Sequence, residues 1–535
     1  MKKLVLVIFL VLFCSLNSFA TEYKDSIRVG ISDTKFANLY YQTIVVGATD
    51  EYVVYDKKTL QDIVVLPAEK SLKIELNNHK LSLYSDALIK SDITDPIGIK
   101  TTENGLLSVQ GLSRGDKQAL YRGEFEAAIS TNGHSGFNLV NILPLETYLR
   151  GVVPNEMPIS FGLEALKAQT IAARNYTLRP RTSVYHNFDV CDSVQSQVYF
   201  GANTEQLLSS EAIERTKGLF ALYKGDLILA LYSSTAGGFT EDYENVFLAP
   251  EWDKRPVEHL PYLRGKSDKG YALCSEEDVS RFYSYSPDSY DIKSKFYRWT
   301  VSWDKVELEE VLKKTLKQSA KSGYVSPAFN EEYFGSLQGI KVLSRGVSGK
   351  AIAIEIQTDK GSFVVKKELI IRKIFQKNSK MLNSANILIS QTLDDEGNIC
   401  EFTFVGGGFG HGVGMSQFGA GNMASHGYSF DEILQHYYTG IAIGTFPVIL
   451  RQDKVSQEFY SPNGKGTLMI ENPKNVKNFT FKINDVEITL NDDYLSQNAS
   501  MRLDSFIKRG NNKIEYLPLD SNRLKVWIEV YKPIQ

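Results

Sequence analysis

Short stretches that alternate apolar and polar residues dominate the early part of the chain. Ile27–Ile31 is one example, Tyr52–Tyr55 is a short continuous run of β-prone residues, and polar turn signals such as Glu103-Asn104-Gly105 occur between such stretches. Such alternation, bounded by Asn and Gly, is typical of strands joined by tight turns. Residues 27–125 are therefore predicted to form a region of short strands.

The pattern changes after residue 140, where a proline-containing turn leads into a helix. The turn is Val153–Pro158, and Ser160 is the predicted N-cap of the helix. A mainly apolar stripe at helical spacing runs from Leu163 to Ala173, while Lys167 and Arg174 share the neighbouring face. We expect one side of this helix to pack and its basic edge to stay free.

The middle of the chain mixes helices and strands. Residues 205–220 and 304–320 are predicted helices, residues 221–235 a buried strand pair, and residues 339–375 alternating strands. No internal repeat or low-complexity block interrupts this part of the sequence.

The last part of the chain returns to strands after a glycine-rich stretch at residues 405–414 and two short helices. Ser429 and Glu432 form a predicted capping box for the second helix, and Gly440 is its natural stop. The strand patterns of residues 450–535 predict a separate small β-sandwich.

Composition places the chain among ordinary globular proteins. It has 535 residues, 43% of them hydrophobic and 23% charged, which excludes a wholly disordered chain, a coiled coil and a collagen-like repeat. At about 100–200 residues per domain, about two to four domains are expected. The net charge of -3 argues against a dedicated nucleic-acid binder, and no nucleic-acid partner is expected.

The first twenty residues have the pattern of a secretory signal peptide. Lys2 and Lys3 precede the apolar run Leu4–Cys14, and Ser18 and Ala20 occupy the small-residue positions of a cleavage site. The mature protein is therefore expected outside the cytoplasm, in the periplasm, at the cell wall or secreted. An uncleaved N-terminal membrane anchor stays open as the alternative, although the run is shorter than the usual span of about 20 residues.

Three cysteines follow the leader, namely Cys191, Cys274 and Cys400. Their wide spacing and odd number do not form a disulfide framework. One bridge with one free thiol stays open. His186 and Cys191 could bind a metal, but zinc takes three or four ligands, so no zinc is expected on these two residues alone.

Glu156 is the first candidate for chemistry, because it lies in a turn between two prolines just before the predicted helix. A carboxyl fixed beside a cleft can act as a general acid if its pKa is raised. The alternative is a solvated turn glutamate paired with Lys or Arg.

Two glycine-containing loops are the other candidates. Tyr232–Thr240 combines small hydroxyl residues with paired glycines and could hold sugar hydroxyls, although these residues alone favour a tight turn. Gly406–Gln417 would let backbone approach a ligand closely, with His411 orienting substrate or relaying a proton. A glycine-rich turn around a buried histidine is the alternative. The serines of the first loop lack a nucleophile elbow.

Taken together, five ordered blocks resemble the SpoIID/LytB family over about residues 27–445. The blocks are Leu143–Pro158, Leu163–Tyr176, Cys191-Asp192 with Gln197–Tyr199, Ser233–Gly238 with Glu241, and Gly410–Ala420 followed by Ile433–Gly440. No single block is specific, whereas their combination and order are.

The resemblance implies a peptidoglycan lytic transglycosylase that cuts glycan strands after an amidase has removed their stem peptides. The family's catalytic glutamate, which precedes Met-Pro, is Glu156 here. The single carboxyl would first protonate the glycosidic oxygen and then deprotonate the muramic C6 hydroxyl, giving a 1,6-anhydro sugar. No cofactor is implied. The implied partners are glycan strands and an N-acetylmuramoyl-L-alanine amidase.

The resemblance also suggests residues that contact substrate. They are Lys167, Gln169, Arg174, Tyr176, Ser234, Gly238, His411, Ser416 and Gln417. Some family members place a second His-Cys pair after Cys-Asp and thereby complete a zinc site. Gln195 and Ser196 stand at those positions here, so no metal is expected, and a hydrogen-bonded replacement is predicted.

The predicted fold is a strand-dominated α+β protein with a long cleft and a small C-terminal β domain. Its segments are a signal peptide (1–20), an N-terminal β-rich part (21–125), a catalytic core (126–265), a mixed insertion or subdomain (266–400), a glycine-rich loop with helices completing the core (401–447) and a C-terminal β domain (448–535). Two other functions stay open. One is a non-catalytic wall binder or amidase enhancer, and the other is a muramidase that uses water.

Overall fold

The computed structural model describes residues 26–178, 185–247, 257–495, 497–519 and 523–533. The predicted signal peptide lies outside these ranges. None of the helices in the described ranges is long and apolar enough to span a bilayer.

The N-terminal part is built from strands, as the alternating pattern predicts. They are β1 (Ser26–Ile31), β2 (Thr43–Ala48), β3 (Tyr52–Asp56), β4 (Asp62–Leu66), β5 (Leu72–Asn77), β6 (Lys80–Ser85), β7 (Leu88–Ile93), β8 (Ile97–Thr101), β9 (Leu107–Arg114), β10 (Lys117–Tyr121), β11 (Glu124–Ile129) and β12 (Phe137–Pro144). Strands β10-β9-β2-β5-β6-β7 form one sheet in that order.

Helices dominate the next part of the chain. The elements are α1 (Leu145–Arg150), α2 (Val153–Glu156), α3 (Leu163–Leu178), β13 (Val190–Cys191), α4 (Leu207–Glu214), β14 (Phe220–Tyr223), β15 (Asp226–Leu227), β16 (Tyr232–Ser233) and α5 (Tyr243–Val246). Strand β13 adds to a second sheet, ordered β13-β1-β12-β11-β8-β3-β4. Helix α3 begins at Leu163 rather than near Ser160, because a 3₁₀ turn at Ile159–Phe161 precedes Gly162 with its φ of 87°.

A mixed segment follows, with a hydrophobic core of its own that includes Trp303, Leu312, Ile354 and Phe404. The elements are α6 (Glu276–Ser284), β17 (Trp299–Asp304), α7 (Lys305–Ser319), β18 (Val325–Ser326), β19 (Leu337–Arg345), β20 (Ala351–Thr358), β21 (Gly361–Lys366), α8 (Glu368–Ile374), β22 (Gln376–Lys377), β23 (Lys380–Met381), β24 (Ile387–Leu393) and β25 (Ile399–Gly406). The predicted helix at residues 304–320 is confirmed. The all-strand prediction for residues 339–375 is wrong at α8, whose isoleucines face this core.

The last elements return to strands after two helices. They are β26 (Met415–Ser416), α9 (Gln417–Ser425), α10 (Phe430–Tyr437), β27 (Ala442–Gly444), β28 (Val448–Leu450), β29 (Val455–Ser461), β30 (Thr467–Glu471), β31 (Phe479–Ile483), β32 (Val486–Leu490), β33 (Asn498–Arg502), β34 (Gly510–Tyr516) and β35 (Leu524–Tyr531). The predicted capping box of Ser429 and Glu432 is confirmed at the start of α10.

One sheet joins the core to the C-terminal strands. Its order is β15-β14-β27-β35-β30-β33, with β28 also paired to β35, so it combines strands from both sides of residue 447. A separate four-stranded sheet has the order β29-β34-β31-β32. The strand-dominated α+β class is confirmed, whereas the segment boundaries stay predictions.

Helix α3 is enclosed on nearly all sides, so the predicted free basic edge is wrong. The helix packs against α4, α9, α10 and β14. The Lys167 ammonium lies 2.5 Å from the Glu164 carboxylate, and the buried Arg174 guanidinium lies 2.7 Å from the Glu146 carboxylate. Periodicity within α3 does not reveal these covering elements, because they come from distant parts of the chain.

Candidate active site

Glu156 is the last residue of α2, a single helical turn fixed at both ends. Pro154 lies in its first turn, where the missing N–H of proline costs no hydrogen bond. The Asn155 amide donates to the carbonyl of Gly151 at 2.7 Å and to the Thr204 hydroxyl at 2.8 Å. The turn therefore holds the Glu156 carboxyl in one place.

The Glu156 carboxyl is largely enclosed and has one strong hydrogen bond. Its Oε1 accepts the backbone N–H of Val198 at 2.7 Å. Burial raises its pKa to about 7, against the opposing effect of this hydrogen bond. Within the described residues Glu156 forms no ion pair, unlike the solvated, paired glutamate of the alternative interpretation. A carboxyl with this pKa can both give and take a proton near neutral pH.

Two glutamines extend the site from Glu156 into the interior. Gln417, the first residue of α9, donates from Nε2 to the Glu156 backbone carbonyl at 2.7 Å. The same nitrogen lies 3.4 Å from Oε1 of Gln169 on α3. Gln169 Nε2 is buried and forms no hydrogen bond within the described ranges. It is therefore a buried donor without a partner in this part of the chain.

Tyr232 brings a hydroxyl to the other side of the site. Burial, and then the negative charge of Glu156, raise the pKa of Tyr232 well above its ordinary value, so its hydroxyl stays protonated. Gln197 Nε2 donates to this hydroxyl at 3.2 Å, and the ring of Tyr176 lies 6.3 Å away. The sequence pattern places Tyr232 at the start of a loop but indicates no role for it, because only the fold brings its side chain close to Glu156.

The two glycine-containing loops come together. Strand β16 pairs in parallel with β26, placing Tyr232 beside Met415 and Ser233 beside Ser416. The Ser234 carbonyl accepts the Phe418 N–H at 3.0 Å, which places Ser234 at the start of α9. The loops predicted separately therefore form one wall.

His411 ties this wall together as a neutral imidazole. Its Nδ1 accepts the Val413 N–H at 3.0 Å, and the ring also bonds to the Tyr232 backbone. Burial, followed by the positive charges of Lys350 and Arg372, lowers the pKa of His411 to about 3. The ring is therefore uncharged at neutral pH, where it orients the loops.

Asp291, which sequence reasoning missed, holds the first loop from the mixed segment. Its fully buried carboxyl accepts the N–H groups of Ala236 at 2.7 Å and Gly237 at 2.9 Å, and the Ser416 hydroxyl at 3.2 Å. Burial raises its pKa to about 6. Asp291 lies in a segment without a recognisable motif, so no sequence signal identified it.

The predicted contact residues thus separate into two groups. Those near the Glu156 carboxyl or the loop wall are Gln169, Tyr176, Ser234, His411 and Gln417. The second group consists of residues that are buried and already engaged in structural contacts, namely Lys167, Arg174, Ser416 and Gly238. Ser416 caps α9, and Gly238 has a φ of 95° where an added Cβ would lie 3.1 Å from Phe282.

The region around Cys191 is a hydrogen-bonded cluster. The Ser196 hydroxyl accepts the Cys191 N–H at 3.1 Å and lies 3.4 Å from its sulfur, which confirms the predicted hydrogen-bonded replacement. In the parts of the chain that the structure covers, no three His, Cys, Asp or Glu side chains come together as metal ligands. Cys191, Cys274 and Cys400 are all free thiols.

This arrangement has the features of a site built on one acid/base carboxyl, lined by amides and hydroxyls. A family profile described as SpoIID, stage II sporulation protein, matches residues 133–223. A domain of unknown function, DUF8618, matches residues 242–414.

Three relatives extend this similarity. The amidase enhancer of Bacillus subtilis is 31% identical over 56% of this chain, and the match spans 40% of that protein's length. An uncharacterized protein of Brachyspira hyodysenteriae is 30% identical over 60% of this chain and 70% of its own. Stage II sporulation protein D of Bacillus subtilis is 30% identical over 58% of this chain and 78% of its own. The chain belongs to the SpoIID family, as its motifs predict.

Proposed function

We propose that this protein is a peptidoglycan lytic transglycosylase that acts on peptide-stripped glycan strands. The observation that supports it is the Glu156 carboxyl, enclosed, unpaired within the described residues and protonated up to about pH 7. Its place of action would be outside the cytoplasm, in keeping with the predicted leader at residues 1–20.

The mechanism uses Glu156 twice. The protonated carboxyl first donates to the glycosidic oxygen between N-acetylmuramic acid and N-acetylglucosamine, and the bond from that oxygen to C1 breaks. The carboxylate then takes the proton of the muramic C6 hydroxyl, whose oxygen bonds to C1. The proton returns to Glu156 and no water is consumed. The Val198 N–H stabilises the carboxylate between the two steps.

The surrounding residues are assigned by where their polar atoms lie. Gln169, Tyr176 and Ser234 would contact the sugars, with Gln169 Nε2, which forms no hydrogen bond within the described residues, as a donor. Gln417 and His411 would orient the backbone of the site. Lys167, Arg174, Ser416 and Gly238 would maintain its framework.

Mass spectrometry of the products tests this function. The purified protein is incubated with amidase-stripped strands, and 1,6-anhydromuramyl ends are expected. Reducing ends would instead identify a muramidase, since hydrolysis normally requires a second carboxyl to activate water. Intact strands under all conditions would overturn the proposal.

The rate should fall as pH rises through about 7. The first step requires protonated Glu156, whose pKa is about 7. Above this pH the rate should therefore decrease about tenfold with each pH unit. Initial rates of strand cleavage between about pH 5 and about pH 9 measure this. A rate that climbs steadily to high pH would exclude Glu156 as the acid.

A second function, enhancement of an amidase, is favoured by one specific observation. The relative named amidase enhancer matches 56% of this chain. Under this alternative, Glu156→Gln would still stimulate an N-acetylmuramoyl-L-alanine amidase on whole peptidoglycan. Loss of both effects in the variant would exclude a separate enhancer role.

A further inference from the structure

A cavity lies at the C-terminal end of α9. It has a volume of about 470 Å³, which is within the range of small-ligand sites. Its lining comes from two distant parts of the chain, with Lys269, Ser289 and Tyr290 on one side and Asn422 and Tyr428 on the other. The first group belongs to the segment matched by the domain of unknown function.

The cavity is connected to the active site by two short paths. Along α9, Asn422 follows Gln417 by five residues, which is about 7.5 Å of helix. Through the mixed segment, the Ser289 hydroxyl donates at 2.7 Å to Asp291, which holds the loop at Ala236. The cavity is therefore attached to the same helix and loop that form part of the active site.

The chemistry of the lining fits an uncharged sugar. Tyr290 donates its hydroxyl to that of Tyr428 at 3.1 Å, and the two rings meet edge to face. The Lys269 ammonium covers the Tyr290 ring, 4.0 Å from its centre, so Tyr428 is the aromatic residue proposed to meet a ligand. Aromatic rings with polar ends suit a pyranose, which has both C–H faces and hydroxyls.

The charges around the cavity do not select an ion. Lys269 lies 3.6 Å from Asp288, so its charge is opposed, and His426 faces the same cavity as Glu432. A stem peptide or a free carboxylate would need an excess of positive charge. Asn422 instead provides a neutral hydrogen-bonding group, which an N-acetylated sugar can use.

We propose that this cavity is a distal subsite that binds an N-acetylated sugar of the glycan strand away from the cleaved bond. This inference rests on the proposed function, which supplies the substrate. It adds to that function a binding site built jointly by the core and the mixed segment. Tyr428 is the central residue, since it lines the cavity and its hydroxyl accepts the hydrogen bond from Tyr290.

Binding is measured with chitohexaose, an oligomer of N-acetylglucosamine, in the Glu156→Gln background. Tyr428→Ala should weaken binding about tenfold, and in the otherwise unaltered protein it should raise KM for long strands more than it lowers kcat. Tyr428→Phe should keep most of the affinity because the ring remains. Tyr333→Ala, which removes a tyrosine 62% exposed elsewhere, should leave binding unchanged.

Hydrogen exchange supplies an independent reading if Tyr428→Ala fails to fold. Chitohexaose should slow exchange across residues 422–432 in the Glu156→Gln protein. Unchanged affinity in folded Tyr428→Ala, or no protection there, would overturn the subsite, as would binding that requires a stem peptide. If the protein forms 1,6-anhydro products but Tyr428→Ala changes neither binding nor KM, the subsite is wrong and the proposed function stands. If the cavity binds chitohexaose but the protein cleaves no strands, the proposed function is wrong and the sugar-binding site stands.

Discussion

Replacing Glu156 by glutamine is expected to lower strand cleavage by about 10²–10⁴-fold, the usual contribution of a positioned acid/base group. Glutamine keeps the shape of the side chain and can still accept the Val198 N–H, but it cannot transfer a proton. Release of 1,6-anhydromuramyl products from amidase-stripped strands is the measurement. Activity near that of the unaltered protein would remove Glu156 from the mechanism.

The same substitution should stabilise the fold at alkaline pH, which separates lost chemistry from lost structure. The folded pKa of about 7 lies above the ordinary 4.5, so ionised Glu156 costs stability above about pH 7 and nothing below pH 4.5. Glu156→Gln should therefore raise the free energy of unfolding by up to about 3 kcal/mol near pH 8, and hardly at all near pH 4. As a matched control, Glu211→Gln on the surface of α4 should leave cleavage unchanged.

Replacing Asp192 by alanine should destabilise the fold by about 3–5 kcal/mol, the usual cost of breaking a buried ion pair. Asp192 pairs with Arg114, and both side chains are fully buried. The Asp192 carboxylate also accepts the Ser32 hydroxyl at 2.6 Å. The substitution leaves a buried guanidinium without its counter-ion, and denaturant unfolding measures the loss.

Asp192 also supports the active site, so the variant should be impaired beyond its stability. Its backbone carbonyl accepts the Tyr199 N–H at 3.2 Å, and Val198 lies in the same loop. The double variant with Arg114→Met should recover part of the stability, because it removes the unpaired charge. Strictly additive losses would show that the two charges are not coupled. Asp86→Ala, at an exposed ion pair, is the control and should behave like the unaltered protein.

Sequence patterns correctly predicted those helices and strands that depend on interactions between residues close in the sequence. The strand alternation of residues 27–125, the charged helix capped by Asp304 and the capping box of Ser429 are all present. Each depends on contacts between residues close in the sequence. The predicted free edge of α3 failed because its cover is supplied by α9 and α10, far along the chain.

The candidate site likewise combines features that neighbouring residues predict with features that depend on distant parts of the chain. Glu156 is recognisable because the residues that shape its turn are its neighbours in the sequence. Its hydrogen bond from Val198 comes from a backbone N–H, which carries no side-chain signature. Asp291 reaches the loop at Ala236 from a segment with no motif, so only the fold connects them.

The sheet that contains both β14 and β35 cannot be completed until late in the synthesis of the chain, because its strands come from distant parts of the sequence. Strand β14 begins at Phe220, yet its partner β27 is bordered by β35, which ends at Tyr531. Strand β14 must wait for β27, which follows about 220 residues later, and β27 must wait for β35; such non-local pairing slows folding. The nascent chain therefore carries an unpaired strand edge until β35 has been synthesised, and a chaperone that shields this edge would protect it from aggregation.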